Sequence, residues 1–171
     1  MDIFVIHTSE AKNITNEMLS EFQHKNFTNE TKRVQHCFTY LMLDRILKEV
    51  YHIKDREIIF EGNKPLLKSN EKYFSISHSE NHVAIAVSDF ECGIDIEKIK
   101  QRDFHKIAER MKFECNNLQE FYQEWTLYEA KYKLGNPPQS HWFAIIKDYF
   151  LCVASKNPNE KFELYYREAS Q

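Results

Sequence analysis

The order strand, long helix, hairpin occurs twice along this chain, and that repeat constrains the fold more than any single residue does. In the first pass a strand at residues 3–7 is followed by a polar helical stretch over 15–25. An amphipathic helix over 29–51 comes next, with Phe38, Leu41, Ile46 and Val50 recurring near the 3.6-residue period. Ile58-Ile59-Phe60 is extended and ends in the turn-like Glu61-Gly62-Asn63-Lys64-Pro65. A hairpin signature then occupies 74–79 and 83–87. The second pass has a strand at Ile94-Asp95-Ile96, a basic helical region, and a helix over 118–134 stopped by Gly135-Asn136-Pro137-Pro138. A second hairpin pair lies at 143–146 and 149–154. The two hairpins share an ending, Val87-Ser88 and Ala154-Ser155. The prediction is one compact α+β domain over 1–171, a pseudo-twofold pair of similar halves, approximately 1–92 and 93–171. Each half is expected to be an antiparallel sheet packed on a long helix, with the site where the halves meet.

Composition narrows the chemistry. The chain has only 3 glycines, too few and too scattered for a Rossmann or Walker-A loop, so any nucleotide phosphate must be held by side chains. No apolar run approaches a membrane span, and residues 1–7 open with an acid and turn polar too soon for a signal peptide. Cys37, Cys92, Cys115 and Cys152 are widely spaced, which predicts buried free thiols in a reducing cytoplasm; the sequons at Asn13, Asn26 and Asn29 then carry no meaning. The net charge of -3 argues against nucleic acid as a partner. Residues 98–112 are locally different: Lys98, Lys100, Arg102, Lys106, Arg110 and Lys112 face two acids, Asp103 and Glu109, an excess of +4. Charge alone reads this as a solvated face or as a docking surface for an acidic partner.

Asp95 and Glu97 are the first residues with chemistry to offer. Two apart on a strand, they project from one face while Ile94 and Ile96 point to the core. They are either solvated acids on an exposed edge or a pair neutralised by a hard cation such as magnesium. Glu129 and Lys133 share a helix face at i and i+4, one turn after Trp125; they make either a surface ion pair or, if that face meets the Asp95 strand, a carboxylate trio with a lysine beside it. Ser77-His78-Ser79 closes a strand at the mouth of a loop, where it is no hydrolase triad. His78-x-Glu80-x-His82 lacks the H-E-x-x-H spacing of a zinc helix. Lys64 sits before Pro65 in a stiff turn.

Taken in order, Asn63-Lys64-Pro65, Phe74-Ser75-Ile76-Ser77-His78-Ser79, Gly93-Ile94-Asp95-Ile96-Glu97 and Trp125-Thr126-x-x-Glu129-Ala130-x-x-Lys133 resemble the signature blocks of the 4′-phosphopantetheinyl transferases. The closer likeness is to the two-halved, surfactin-synthetase-activating type, and it runs from about residue 31 to 154. The resemblance implies a magnesium-dependent enzyme that moves the phosphopantetheine arm of coenzyme A onto a serine of an apo acyl or peptidyl carrier protein, such as those of fatty-acid synthesis, releasing adenosine 3′,5′-bisphosphate. It assigns magnesium to Asp95, Glu97 and Glu129. Deprotonation of the serine falls to Glu129 or to a metal-bound water near Glu97, and stabilisation or protonation of the leaving phosphate to Lys133. Ser77 and His78 would contact the coenzyme A phosphates, Lys64 the nucleotide end, and Lys32, Arg33 and His36 the 3′-phosphate.

Against the family pattern, Ser75 replaces an asparagine, Asn63 a glycine and Tyr128 a lysine, whose phosphate contact is either lost or taken over by Lys131; the region after Lys133 is short. Carrier proteins are acidic, which turns residues 98–112 into the expected docking surface, with Phe104, Ile107 and Met111 as apolar anchors. A monomer is expected, since two fused halves complete the site. The alternative is a non-catalytic homologue that binds coenzyme A or the carrier; a metal-dependent phosphohydrolase is disfavoured because no second acidic cluster is present.

Overall fold

The computed structural model describes residues 1–22, 26–135 and 137–167. Strand β1 (Asp2–His7) leads through a 3-10 turn (Thr8–Asn13) and a short helix α1 (Asn16–Ser20) to the long helix α2 (Glu30–Glu49). The predicted polar helix is therefore only five residues long, and Lys25 at its expected end lies outside the described residues. Asn29 caps α2 by accepting from the Lys32 N–H at 3.0 Å, as a short polar side chain does for an orphan donor. Phe38, Leu41 and Ile46 face the core as the periodicity predicts, but Val50 is the C-cap and is exposed, because the helix ends there.

The hairpin β2 (Ile58–Glu61) and β3 (Lys64–Leu67) turns on Gly62 and Asn63 alone, with Gly62 in the left-handed region at φ 61°. Lys64 and Pro65 thus open a strand, and the expectation of a lysine pinned inside the turn is corrected. Next come β4 (Tyr73–Ser79), β5 (His82–Ser88) and β6 (Cys92–Lys98), then α3 (His105–Met111) and α4 (Leu118–Leu134). Strands β7 (Ser140–Ile146), β8 (Tyr149–Ser155) and β9 (Glu163–Arg167) complete the chain order. Of the predicted stop after α4, Gly135 is the left-handed C-cap, while Asn136 lies outside the described residues.

The strands form a sheet ordered β4-β5-β1-β9 and a second ordered β6-β8-β7. Within β1, β4 and β5, and again within β6, β7 and β8, the last strand lies between the other two and pairs antiparallel with both. Strand β9 adds to the first sheet parallel to β1, which makes β1 central and departs from a simple repeat. Ser88 and Ser155, the matching ends of β5 and β8, both donate to Glu160 Oε2, at 3.1 and 2.8 Å.

Alternation along the strands stacks the layers helix, sheet, sheet, helix. Val83, Ile85 and Val87 of β5 pack on Phe38, Leu43 and Leu47 of α2, whereas Ala84 and Ala86 turn the other way, toward Ile94, Ile96, Leu151 and Val153. Cys152 and Ala154 of β8 meet Ala130 and Leu134 of α4, and Phe150 joins the Phe104, Phe121 and Tyr122 cluster. Because β5 and β8 have core on both faces, residues 83–87 and 149–154 within them are apolar without interruption. All four cysteines are free; Cys37, Cys92 and Cys152 are buried, while Cys115 is half-buried. Among the described residues no helix is long and apolar enough to cross a membrane.

Gly93 does not mark a turn. It lies within β6, directly under α4, where an added Cβ would come within 2.0 Å of the Ala130 carbonyl oxygen. The missing side chain lets the helix backbone rest on the strand, and this close approach brings the α4 residues over Asp95.

Candidate active site

The site is assembled where α4 crosses β6 beside the end of β4. Asp95 is 4% exposed; its Oδ1 accepts from Lys133 Nζ at 2.7 Å and from Ser77 Oγ at 2.8 Å, while its buried Oδ2 has no hydrogen-bond partner. Lys133 Nζ also donates to Ser77 Oγ and to the Ile94 carbonyl, both at 3.0 Å, so all three of its protons are placed. Glu97 accepts from Trp125 Nε1 at 3.2 Å and from Ser79 Oγ at 3.3 Å. Glu129 stands one turn before Lys133 on α4, half-buried; Lys133 ion-pairs with Asp95, so the simple surface pair of Glu129 with Lys133 is corrected.

The electrostatics are those of crowded, desolvated acids. Burial pushes the Asp95 carboxyl above the usual carboxylate range, against the pull of the Lys133 charge and its hydrogen bonds from Lys133 and Ser77. Glu97 is raised by burial and by the Asp95 charge, with Trp125 and Ser79 pulling it down. Glu129 is raised by the same two causes, with Lys133 opposing. Both glutamates thus sense Asp95. Among the described residues no three His, Cys, Asp or Glu side chains stand at metal-holding spacing, and the Lys133 ammonium balances Asp95.

The remaining sequence-predicted residues are spread around this centre. Ser77 sits in its middle. His78, on the opposite face of β4, is exposed, and its charge bears on Asp95. Lys64 donates to the Leu134 carbonyl at 3.3 Å, closing the C-terminal end of α4 where a cation is favoured. Lys32, Arg33 and His36 lie on the first turns of α2, away from the carboxylates. Lys32 is exposed, Arg33 forms a two-point ion pair with Glu30, and the His36 ring packs 4.7 Å from Tyr40. Tyr128 turns toward Phe113 and Trp125, at 6.0 and 6.4 Å between rings. Lys131 is exposed two residues from both Glu129 and Lys133, hence on another face of α4.

Residues 98–112 are less uniformly basic in space than in sequence. Lys98 pairs with Asp148 and Glu80, and Lys100 with Glu80. Phe104, the N-cap of α3, is buried against Phe121 and so is no apolar anchor for a partner, while Ile107, packed beside it, and Met111, at the end of α3, are half-buried. Arg102, Lys106, Arg110 and Lys112 are exposed.

Two contributions were not evident from the sequence. Trp125 reads there as a packing residue but also holds Glu97. Ser79 reads as the tail of a motif but binds the same carboxylate; the alternation of serines at 75, 77 and 79 was the available signal. Thr126, by contrast, is spent inside its own helix, donating to the Tyr122 carbonyl at 2.8 Å.

No family model matches the chain. It is 32% identical over 107 residues to the 4′-phosphopantetheinyl transferase gsp of Aneurinibacillus migulanus, covering 54% of this chain and 44% of that protein. It is 36% identical over 110 residues to the 4′-phosphopantetheinyl transferase psf-1 of Bacillus pumilus, covering 55% and 46%. The chain thus spans about half the length of the curated relatives it matches. Both relatives are 4′-phosphopantetheinyl transferases, the superfamily whose signature blocks the motifs of this chain resemble.

Proposed function

We propose that the chain transfers the 4′-phosphopantetheine arm of coenzyme A to a serine of an apo acyl or peptidyl carrier protein, with magnesium, releasing adenosine 3′,5′-bisphosphate. The observation that carries this reading is the meeting of Asp95 and Glu97 of β6 with Trp125 and Lys133 of α4 through direct hydrogen bonds, at the helix crossing that also holds Glu129. Asp95, Glu97 and Glu129 would hold the metal. In kind, though not in their present spacing, these donors suit a hard divalent ion: all three are oxygen ligands, Asp95 Oδ2 is buried and unpartnered, and the Asp95 charge raises the pull of Glu97 and Glu129 on a positive charge. Magnesium, when bound, supplies charge neutralisation on the pyrophosphate of coenzyme A.

The chain's own residues account for the rest. Glu129, whose carboxyl is held above its ordinary value by burial and by the Asp95 charge, would take the proton from the incoming serine hydroxyl. Lys133 exchanges one of its three present bonds for the leaving phosphate. His78, from the exposed face of β4, would meet the coenzyme A phosphates, and Ser77, whose hydroxyl is committed to Asp95, would reach them only by exchanging a bond; Lys64 would meet the nucleotide end, and Lys32, Arg33 and His36 the 3′-phosphate. The shared order of β1-β5-β4 and β6-β8-β7, with Ser88 and Ser155 converging on Glu160, supports reading 1–92 and 93–171 as repeated halves of one domain. Such a chain works as a monomer, and its buried thiols suit the cytoplasm.

Arg102, Lys106 and Arg110 form the docking face for the acidic carrier. Reversing their charges is expected to raise KM for the carrier at unchanged KM for coenzyme A; steady-state kinetics with each substrate varied in turn check this. The reading itself is tested by incubating the protein with coenzyme A, magnesium and apo carriers and following carrier mass. The expected result is a gain equal to the phosphopantetheine arm, lost in Glu129→Gln. Coenzyme A binding without any mass gain across several carriers would replace it with a binding-only function.

A further inference from the structure

Strands β4 and β6 run side by side where the two sheets meet, yet among the described residues no backbone hydrogen bond joins them; β4 is laddered to β5 and β6 to β8. Serine hydroxyls bridge them instead. The Ile94 N–H donates to Ser75 Oγ at 3.1 Å, the Ile96 N–H to Ser77 Oγ at 3.3 Å, and the Lys98 N–H to Ser79 Oγ at 3.0 Å. Every step has the same offset of 19 residues, so the strands are parallel neighbours in a single register. Alternate residues of a strand share a face, which is why three serines at every second position can meet three alternate N–H groups. Without them the buried Ile94 and Ile96 donors would lack partners, at a cost of about 1–3 kcal/mol each, and the half-buried Lys98 donor would lose its own.

Two of the serines act a second time. Ser77 Oγ donates to Asp95 Oδ1 at 2.8 Å and Ser79 Oγ to Glu97 Oε2 at 3.3 Å. The rule is regular: each accepts from the N–H of one β6 residue and donates to the carboxylate of the residue before it. Ser77 thereby spends its single proton on Asp95 and both lone pairs on Ile96 and Lys133. Ser75 makes the same backbone contact opposite Gly93, where there is no side chain to hold. The molecule therefore contains its own control, a ladder serine without a carboxylate.

We propose that Ser77 and Ser79 are positioning residues, their hydroxyls fixing the rotamers of Asp95 and Glu97 against β4 so that both carboxylates are oriented toward a cation before it arrives. Trp125 completes the hold on Glu97 from the α4 side. This rests on the metal role given above to Asp95 and Glu97. Hydrogen bonds to ligating carboxylates are worth about 10–100-fold in metal affinity, and preorganised ligands spare the cation the cost of ordering them.

The test is Mn2+ titration of the purified chain with coenzyme A present, read by electron paramagnetic resonance, on the wild type, Ser79→Ala, Ser79→Thr and Ser75→Ala, with a thermal melt of each. Ser79→Ala is expected to weaken Mn2+ binding about tenfold, and Ser79→Thr to restore it. Ser75→Ala is expected to lower Tm by as much as Ser79→Ala while leaving Mn2+ affinity at the wild-type value. Equal loss of affinity in Ser75→Ala and Ser79→Ala, unchanged affinity in Ser79→Ala, or no Mn2+ binding by the wild type overturns the proposal. If Ser79→Ala does not fold, Ser79→Cys, which keeps the shape with a poor donor, takes its place. Carrier mass is followed on the same preparations: the affinity split without arm transfer defeats the transferase reading and leaves the positioning role standing, and transfer without the split does the reverse.

Discussion

Strand β4 has two neighbours, and it is joined to them by different chemistry. Toward β5 it forms an ordinary antiparallel ladder from Tyr73 opposite Ser88 to Ser79 opposite His82. Toward β6 it offers only side-chain oxygens. A backbone ladder is nearly indifferent to sequence and yields no groups for chemistry, because the N–H and C=O groups that face the partner strand are consumed by it. The hydroxyl seam is sequence-specific and leaves the carboxylates of Asp95 and Glu97 projecting into the space between β4, β6 and α4. The ladder side serves folding and the seam side serves the site.

That contrast predicts unequal sensitivity, most severe at the charge in the seam. Lys133→Met leaves Asp95 buried without its cation and is expected to cost about 3–5 kcal/mol at pH 7. Urea unfolding at pH 7 and again at pH 5 checks the assignment, since the deficit should shrink as Asp95 takes up a proton. An equal deficit at both values would point to lost packing instead.

The ladder side has its own titratable group. His82, at the start of β5, is buried with neither ring nitrogen hydrogen-bonded, its ring 4.9 Å from that of His7 and 4.3 Å from that of Tyr149. Burial, aided by the His7, Lys147 and Lys98 charges and opposed by Asp148, lowers its pKa from 6.5 to about 4. A depressed histidine binds its proton more weakly when folded than when unfolded. Its contribution is therefore intact above pH 6.5 and is lost as pH falls toward 4, by about 3 kcal/mol in all. Chemical denaturation from pH 7 to 4 should show this slope in the wild type and a flatter one in His82→Phe.

Smaller effects sharpen the seam further. Gly93→Ala inserts a methyl group against the Ala130 carbonyl and is expected to cost about 1–3 kcal/mol. Because the strain lies under α4, it should also displace Lys133 and Glu129 from Asp95; a loss of Mn2+ affinity greater than that of an equally destabilised α2 variant checks this. Lys64→Met removes the charge at the α4 C-terminus and should cost only about 0.3–1 kcal/mol, measured as a small fall in Tm. A larger drop in coenzyme A affinity than in stability would assign Lys64 to the ligand rather than to the helix.

Much of this was legible along the chain. The places of β4, β5, β6 and β8 follow from short strand-like runs, and that of α4 from its length and the Gly135 stop, because these are local signals. The side-by-side placement of Asp95 and Glu97 follows from strand geometry, and Glu129 with Lys133 from helix geometry. Val50 and Phe104 were misplaced for a common reason: apolar periodicity says that a residue has a face, but not where the helix ends or which face the core takes. The positive run at 98–112 was likewise halved by Glu80 and Asp148, which are distant in sequence from Lys100 and Lys98 respectively.

The sequence by itself determined the elements, the pairing of acids on one strand face and of acid with lysine on one helix face, and the absence of a glycine cradle for phosphate. Only the tertiary structure decided that those two faces meet, that Lys133 chooses Asp95 over Glu129, and that alternate serines replace a strand's backbone partners. The physical reason is range. Periodicity and capping are settled within a few residues, whereas the Asp95–Lys133 contact spans 38 residues and depends on Gly93 letting two backbones touch.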